Sequence, residues 1–341
     1  MNPFSYFSAV DPAEALAHAD QGARFIAGGT NLLDLMKEGV MRPKALADVN
    51  GLPFSEIAPV ASGGLLLGAM ARNAATAYHP LVRRDYPLLT AAILAGASPQ
   101  IRNMASNGGN LLQRTRCYYF YDLGTPCNKR EPGSGCSAIG GLTRQQAILG
   151  ASQHCIAVHP SDMCVALAAL GAVVHLRSAN GERQVAFTDF HRLPDDRPEL
   201  DTIMQPGELI THIELPPAAQ FAEHSCYLKL RDRASYAFAL VSVATMLDLG
   251  ADGVVREARL ALGGVAHKPW RVPEAEALLA GHAADAERFA LAADALLEGA
   301  RGQGHNDFKI PLARRAIVRA LERAVEGTHD NSRSEERDRS D

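Results

Sequence analysis

Four of the six cysteines in this 341-residue sequence lie in a segment with few core-forming residues. Cys117, Cys127, Cys136 and Cys155 follow the spacing C-x9-C-x8-C-x18-C, and the residues between them are rich in Gly, Pro, Asn and Arg. A loop of this length without helical or strand periodicity needs something other than a hydrophobic core to hold it in place. Four thiols in such a loop indicate a metal centre.

The four cysteines could bind zinc, form disulfides, bind an iron–sulfur cluster, or remain free thiols. Zinc usually takes paired thiols two to four residues apart, and the segment has no C-x2-C pair. Disulfides need an oxidising compartment, and the opening MNPFSYFSAVDPAEA has neither the basic nor the apolar region of an export signal. An iron–sulfur cluster tolerates irregular spacing and is commonly wrapped by glycine-rich loops that donate N–H groups to its sulfurs. The spacing therefore favours iron–sulfur without excluding the others. Cys164 and Cys226, in apolar runs, are predicted to be small buried hydrophobes.

Two glycine pairs lie where a backbone can bind an anion. ARFIAGGTNLLDLMKEG predicts a strand over 25–27, a turn at Gly28-Gly29, and a helix that begins at Thr30 and Asn31. Free N–H groups and the positive end of the helix dipole suit a pyrophosphate at such a turn. The segment lacks the G-x-G-x-x-G fingerprint and the P-loop lysine, which disfavours a Rossmann or ATPase assignment. The alternative is a tight turn capped by Thr30 with nothing bound.

The surrounding elements predict a mixed chain. A helix over 81–95 leads to the second glycine pair, SNGGN, at 106–110, where the backbone can approach a ligand closely. A strand over 155–158 precedes an apolar helix whose first turn contains Ser161 and Asp162. Three alternating segments from about residue 224 predict antiparallel strands, after a boundary near 216–223. The helices predicted after them cover 274–280, 283–297 and 310–325.

Composition excludes several classes of function. The net charge of −4 comes from interspersed residues of both signs, so no face is suited to nucleic acid or anionic lipid. No stretch approaches the roughly 20 apolar residues of a membrane span. The last segment, 327–341, is charged and has no apolar residue, which predicts a solvated tail.

With GGTNLLDLM, SNGGN, HPSD, YLKLRDRASYAFALVSVA and ALGGVAHKPWR in this order, the chain resembles the FAD-binding medium subunit of the molybdenum hydroxylases, the xanthine dehydrogenase and carbon monoxide dehydrogenase family. The resemblance covers residues 1–325. The cysteine insertion looks most like that of the flavin subunit of bacterial aldehyde oxidoreductases of the periplasmic type, where it carries a [4Fe–4S] cluster beside FAD. The resemblance thus implies that the four cysteines bind a [4Fe–4S] cluster.

The implied fold class is α+β. The resemblance implies a PCMH-type FAD-binding domain over 1–220, made of two α/β subdomains, 1–55 and 56–220, with the iron–sulfur insertion at 115–156. A C-terminal domain of the carbon monoxide dehydrogenase flavoprotein type follows over 221–326, with a three-stranded antiparallel sheet and helices. A disordered tail over 327–341 completes the chain.

The resemblance also implies a set of FAD contacts. The first glycine loop matches the family's pyrophosphate loop, and the second matches a loop along the phosphate and ribityl region. Asp162 matches an acidic FAD contact, while Lys229 matches a cation near the N1 end of the ring, where it would stabilise the reduced flavin, unless it is only a solvated charge. Leu94 and Ile101 are expected to pack beside the ring. The implied FAD-binding residues are Ile26, Ala27, Gly28, Gly29, Thr30, Asn31, Leu32, Leu33, Asp34, Ile101, Ser106, Asn107, Gly108, Gly109, Asn110, Asp162 and Lys229.

The implied function is electron transfer. A molybdenum cofactor on a large partner subunit would oxidise an aldehyde, two [2Fe–2S] clusters on a small partner would pass single electrons, and FAD here would deliver them to an external acceptor. A heterotrimer is expected, without nucleic acid, membrane insertion or an NAD site. The compartment would be periplasmic if a signal-bearing partner exports the complex, and cytoplasmic otherwise. Two alternatives remain: a stand-alone FAD-dependent oxidase, and an assembly subunit stapled by zinc or disulfides.

Overall fold

The computed structural model describes residues 1–328, and residues 329–341 of the predicted tail lie outside that range. The strands are β1 (Ser5–Ser8), β2 (Arg24–Ile26), β3 (Ala45–Asp48), β4 (Ile57–Pro59), β5 (Leu65–Gly68), β6 (Val173–Ser178), β7 (Gly181–Ala186), β8 (Leu209–Leu215), β9 (Ser225–Leu230), β10 (Val241–Leu249) and β11 (Val255–Gly263). The helices are α1 (Pro12–Asp20), α2 (Leu32–Lys37), α3 (Asn73–Tyr78), α4 (Pro80–Asp85), α5 (Pro87–Ala95), α6 (Pro99–Met104), α7 (Asn107–Leu111), α8 (Tyr118–Tyr121), α9 (Asp162–Leu170), α10 (Phe187–Phe190), α11 (Pro273–Ala277), α12 (Ala286–Leu296) and α13 (Lys309–Glu326).

The N-terminal sheet is parallel, in the order β1-β3-β2. Parallel strands need crossover connections, and α1 and α2 are part of those connections. Strands β1, β2 and β3 end side by side at Ser8, Ile26 and Asp48. The first glycine loop therefore leaves the carboxyl edge of this sheet, next to the residues that follow β3.

The second sheet has five antiparallel strands in the order β4-β5-β8-β6-β7. Helices α5 and α9 pack in the core beside it, and every residue of α9 is buried. The predicted helix over 81–95 is wrong as a single element, because Pro87 separates α4 from α5. Proline has no N–H and disfavours helical geometry in the preceding residue, and Tyr86 has φ −134°.

The segment after the cysteine loop also differs from prediction. Residues 155–158 form no ladder and are not a strand. Ile156 instead accepts a hydrogen bond from Ala147 N at 2.8 Å, and His159 N donates to Ala266 O at 2.9 Å. The segment is held between the cysteine loop and the C-terminal residues, so alternation of apolar residues alone did not distinguish it from a strand.

The third sheet confirms the predicted antiparallel three-stranded arrangement, in the order β11-β10-β9. Alternate residues of β10 face two different cores. Val241 and Val243 pack in the core that contains α12 and α13, whereas Ala244 and Met246 pack in the core that contains α9. The sheet is thus covered on both faces, which explains why the first seven residues of β10 are all buried.

Lys309, the first residue of α13, is a buried cation. Its Nζ donates to Gln146 O at 2.8 Å and to Gly264 O at 2.5 Å, and both acceptors are carbonyl oxygens. Burial lowers the pKa of Lys309 to about 7. The side chain therefore connects α13 to the end of the cysteine loop at the cost of desolvating an amine.

A Lys309→Met variant should differ from the wild type in how its stability depends on pH. The unfolded lysine keeps its proton to about pH 10.4, so between pH 7 and 10 the unfolded wild type binds more protons than the folded one. Its free energy of unfolding should then rise relative to the variant by about 4 kcal/mol across this range. Urea unfolding at several pH values measures the difference. Parallel pH profiles would contradict the prediction, and Lys37→Met, at an exposed residue, is the matched control.

Candidate cofactor site

The first glycine loop presents a row of free backbone donors. The N–H groups of residues 29–32 donate to no other group in the described part of the chain. Gly29 has φ +70°, which turns the chain from β2 into α2. The N-cap of α2 is Asn31 rather than the predicted Thr30, and its Oδ1 accepts from Arg114 N at 2.9 Å instead of capping the helix. The loop is therefore able to bind an anion through its backbone.

Gly28 is required by a close approach to the chain before the second loop. A Cβ at this position would lie 2.7 Å from the carbonyl carbon of Met104, and closer still to its oxygen. Arg72 reinforces the same approach: its Nη1 donates to Met104 O at 2.6 Å and its Nη2 to Asn50 Oδ1 at 2.9 Å. Asn50 Nδ2 in turn donates to Ala27 O at 3.0 Å. The two glycine loops are thus joined into one unit.

The second glycine loop differs from the first because its donors are already used. Ser106 caps α7 and accepts from Gly109 N at 3.2 Å, while Asn107 N and Gly108 N donate to carbonyl groups of residues 71 and 69. Asn107 is fully buried, and its amide bonds Asn73, Thr76 and Gly68. Its side chain therefore shapes the loop, and any contact of this loop with a ligand must come from other atoms.

Asp162 and Lys229 are in direct contact. Lys229 Nζ donates to Asp162 Oδ2 at 2.7 Å and to Ala95 O at 3.1 Å, and the two side chains are 5% and 8% exposed. Lys229 is consequently not a solvated charge. Tyr227 OH donates to Asp162 Oδ1 at 2.7 Å, and burial together with this carboxylate raises the pKa of Tyr227 well above its usual value. Ser161 is the N-cap of α9, and Asp162 is its first residue.

A cavity that is open to solvent, with about 500 Å3 of empty space including solvent at its mouth, lies between Asp162 and the cysteine loop. Its walls include Cys117, Gln146, Asp162, Phe238 and Ser242. Of the two predicted ring neighbours, Ile101 is half-buried in α6 and Leu94 packs against the main core. Neither borders this cavity.

Cys117, Cys127, Cys136 and Cys155 all line a second cavity, with about 260 Å3 of empty space including solvent at its mouth. All six cysteines of the chain are free thiols, so the disulfide interpretation finds no support here. Among the described residues, no three of the four clustered sulfurs lie within 4.8 Å of one another. A single zinc ion, with Zn–S bonds of about 2.3 Å, would hold tetrahedral sulfurs roughly 3.8 Å apart. The four sulfurs therefore do not form the compact tetrahedron of a single zinc site.

Cys117 connects the two cavities. It borders both, and Gln146 Nε2 lies 3.3 Å from its Sγ as a hydrogen-bond donor. Burial raises the pKa of Cys117 and raises that of Cys155 to about 12. Thiols in such surroundings stay protonated unless a bound metal supplies positive charge.

Sequence reasoning missed a third group, formed by His159, Cys164 and His191, whose ligand atoms lie within 4.8 Å of one another. Ser161 N donates to His159 Nδ1, so Nε2 of that ring carries the proton; His191 Nε2 faces Leu111 O at 2.9 Å, which leaves its Nδ1 unprotonated. Burial lowers the pKa of His159, and that of His191 to about 4, so both rings are neutral. In these tautomers only His191 has a ring nitrogen, Nδ1, with a lone pair available for a metal. Cys164 is fully buried, as predicted.

Comparisons with known proteins agree with this architecture. Residues 2–218 match the family described as the FAD binding domain in molybdopterin dehydrogenase, and residues 226–324 match the CO dehydrogenase flavoprotein C-terminal domain. The chain is 49% identical to the aldehyde oxidoreductase FAD-binding subunit PaoB of Escherichia coli (strain K12) over 327 residues, which covers 95% of this chain and 99% of that one. It is 26% identical to the carbon monoxide dehydrogenase medium chain of Afipia carboxidovorans, covering 93% and 94%. Among solved structures, reconstituted CO dehydrogenase from Oligotropha carboxidovorans superposes with a TM-score of 0.74 at 26% identity, covering 96% and 100%.

Proposed function

The chain belongs to the family of FAD-binding medium subunits of the molybdenum hydroxylases, and on that premise we propose that it transfers electrons through FAD and a [4Fe–4S] cluster in an aldehyde-oxidising complex. That it is a subunit of an oxidoreductase and binds FAD follows from the family itself. The observation that carries the proposal is the pair of adjoining cavities, one lined by the four thiols and the other bordered by Asp162, with Cys117 in the wall of both.

The chain's own residues suit FAD. The free N–H groups of residues 29–32 would hold the diphosphate, because they point from a glycine turn at the carboxyl edge of a parallel sheet. Arg72 and Asn50 keep that loop against the second one. Asp162, held by its ion pair with Lys229, borders the first cavity and would offer a polar wall to the flavin ring. FAD, when bound, exchanges electrons singly or in pairs, which lets such a subunit connect one-electron centres with a two-electron acceptor.

The thiol cavity suits a cluster. Cys117, Cys127, Cys136 and Cys155 would be its ligands, and the donor at Gln146 would partly offset the negative charge on one sulfur. A [4Fe–4S] cluster, when bound, stores one electron. Phe120 and Thr115 in the cavity wall limit access of water to it.

We extend the proposal to partners and domains from the relatives. A large molybdenum-cofactor subunit and a small subunit with two [2Fe–2S] clusters would complete a heterotrimer, with this chain divided at about residue 220. Residues 1–328 contain no helix long and apolar enough to cross a bilayer. The proposed location is the periplasm if a partner carries an export signal, and the cytoplasm otherwise.

Cofactor analysis of the purified complex tests the proposal. We expect one FAD and about eight iron atoms per complex, four of them in this chain and four in the small subunit. A broad absorbance near 400 nm (roughly) should bleach on reduction. About four iron atoms per complex would mean that this chain binds FAD but no iron–sulfur cluster. Zinc in place of iron would favour an assembly subunit stabilised by zinc. Aldehyde turnover by this chain without partners would favour the stand-alone oxidase.

A further inference from the structure

Lys129 places a cation in the wall of the thiol cavity. It lies two residues after Cys127, borders the cavity together with all four cysteines, and has a side chain that is 1% exposed. Buried lysines are rare unless they are paired. Neither cysteine spacing nor binding of four thiolates requires a lysine at this position.

The ammonium group of Lys129 is held by a network behind the cavity. It forms an ion pair with the Asp201 carboxylate, donates to Pro198 O at 2.7 Å, and lies 2.7 Å from His267 Nε2. The same nitrogen lies 3.6 Å from Asp201 Oδ1, and burial lowers the pKa of His267, so that the ring is neutral. The imidazole therefore adds no charge to the network.

Asp201 is shared between two cations. Its Oδ2 lies 2.5 Å from Arg114 Nε, while its Oδ1 pairs with Lys129. Burial alone would raise the pKa of Asp201, but the two cations hold it well below its usual range. Two positive charges and one negative charge remain, and the positive end that borders the cavity is Lys129. The charge of Lys129 reaches at least one thiol, since it lowers the pKa of Cys155 against the larger, opposite effect of burial.

We propose that Lys129 and Asp201 set the reduction potential of the centre held by the four cysteines, with Lys129 raising it and Asp201 lowering it. The inference rests on the proposed function, since it needs a redox-active cluster in the cavity. Reduction adds one electron and hence one negative charge, supplied by the reductant, without forming or breaking a bond. A buried cation stabilises the more negative state, and the low local dielectric strengthens this effect. The carboxylate opposes the cation from the far side.

Removing Lys129 and removing Asp201 should therefore shift the reduction potential in opposite directions. Lys129→Met keeps the approximate side-chain volume and removes the cation, so the equilibrium constant for cluster reduction should fall about tenfold, a potential about 59 mV lower for one electron. Asp201→Asn keeps the shape and removes the anion, so the same constant should rise. A purely structural role would instead loosen the loop in both variants and shift both potentials in the same direction or neither.

Redox titration of the intact complex, followed by electron paramagnetic resonance, measures both variants against the wild type. The exposed Lys44→Met variant is the control and should leave the potential unchanged. Shifts of opposite sign support the inference; equal or parallel shifts in protein that retains its iron overturn it. If Lys129→Met loses the cluster, Asp201→Asn alone decides, because a potential that does not rise contradicts the proposal. A wild-type chain without iron would instead refute the proposed function itself.

Discussion

A Cys155→Ser variant should lose the iron of this chain while retaining FAD. Cys155 is 5% exposed and lines the same cavity as Cys117, Cys127 and Cys136. A serine hydroxyl is a far poorer ligand for iron than a thiolate, because iron–sulfur clusters depend on deprotonated sulfur. Mutation of residues that only support the ligands typically lowers metal affinity about 10- to 100-fold. Loss of a ligand itself should therefore lower the cluster content at least about tenfold. The free donors of residues 29–32 do not line that cavity.

Iron, labile sulfide and FAD, measured per chain in the purified complex, check this expectation. Cys226→Ser is the matched control, because Cys226 is half-buried on β9 and borders neither cavity. We expect this control to keep both cofactors. Full iron and sulfide in Cys155→Ser would show that this thiol is not a ligand, and loss of FAD along with iron would show that the two sites do not assemble separately.

The elements could be predicted where local chemistry determines them. The alternation in β9, β10 and β11 predicted the antiparallel sheet, because successive side chains of a strand face opposite sides of the sheet. The same type of signal failed at 155–158, where the apolar run accepts a hydrogen bond from Ala147 N and is followed by His159, whose N–H donates to Ala266 O, with no neighbouring strand. Over 81–95 helical periodicity continued across Pro87, and the backbone restriction at Tyr86 outweighed it.

The site could be predicted only where its residues are close in sequence. The spacing of the four cysteines predicted a metal centre, and a strand followed by a glycine pair predicted free backbone N–H donors. Arg72 and Asn50, and likewise Lys129 and Asp201, meet through tertiary contacts between distant segments, and no spacing marks such pairs. A charged residue inside a loop otherwise poor in core residues is the only local sign that Lys129 gives.

A Gly28→Ala variant should bind FAD much more weakly than the wild type. The new Cβ would overlap the Met104 carbonyl group, which is fixed by Arg72 and therefore cannot move away freely. Accommodating an overpacked methyl group typically costs about 1–3 kcal/mol, and here the strain acts on the loop whose free donors at residues 29–32 are proposed to hold the diphosphate. Converted to affinity, this predicts FAD binding roughly 10- to 100-fold weaker.

The measurement is titration of FAD into flavin-depleted complex, with iron content followed in parallel. Gly124→Ala is the matched control: residue 124 is exposed, and its Cβ would lie 3.2 Å from Asp122 Oδ1, a carboxylate oxygen on an exposed side chain that accepts only from Gly124 N among the described residues. This variant should bind FAD like the wild type. If Gly28→Ala also binds FAD normally, the diphosphate does not lie on the first glycine loop. If it loses FAD but keeps iron, the flavin and the cluster are held by separate parts of the chain, because the strain at Met104 does not reach the thiol cavity.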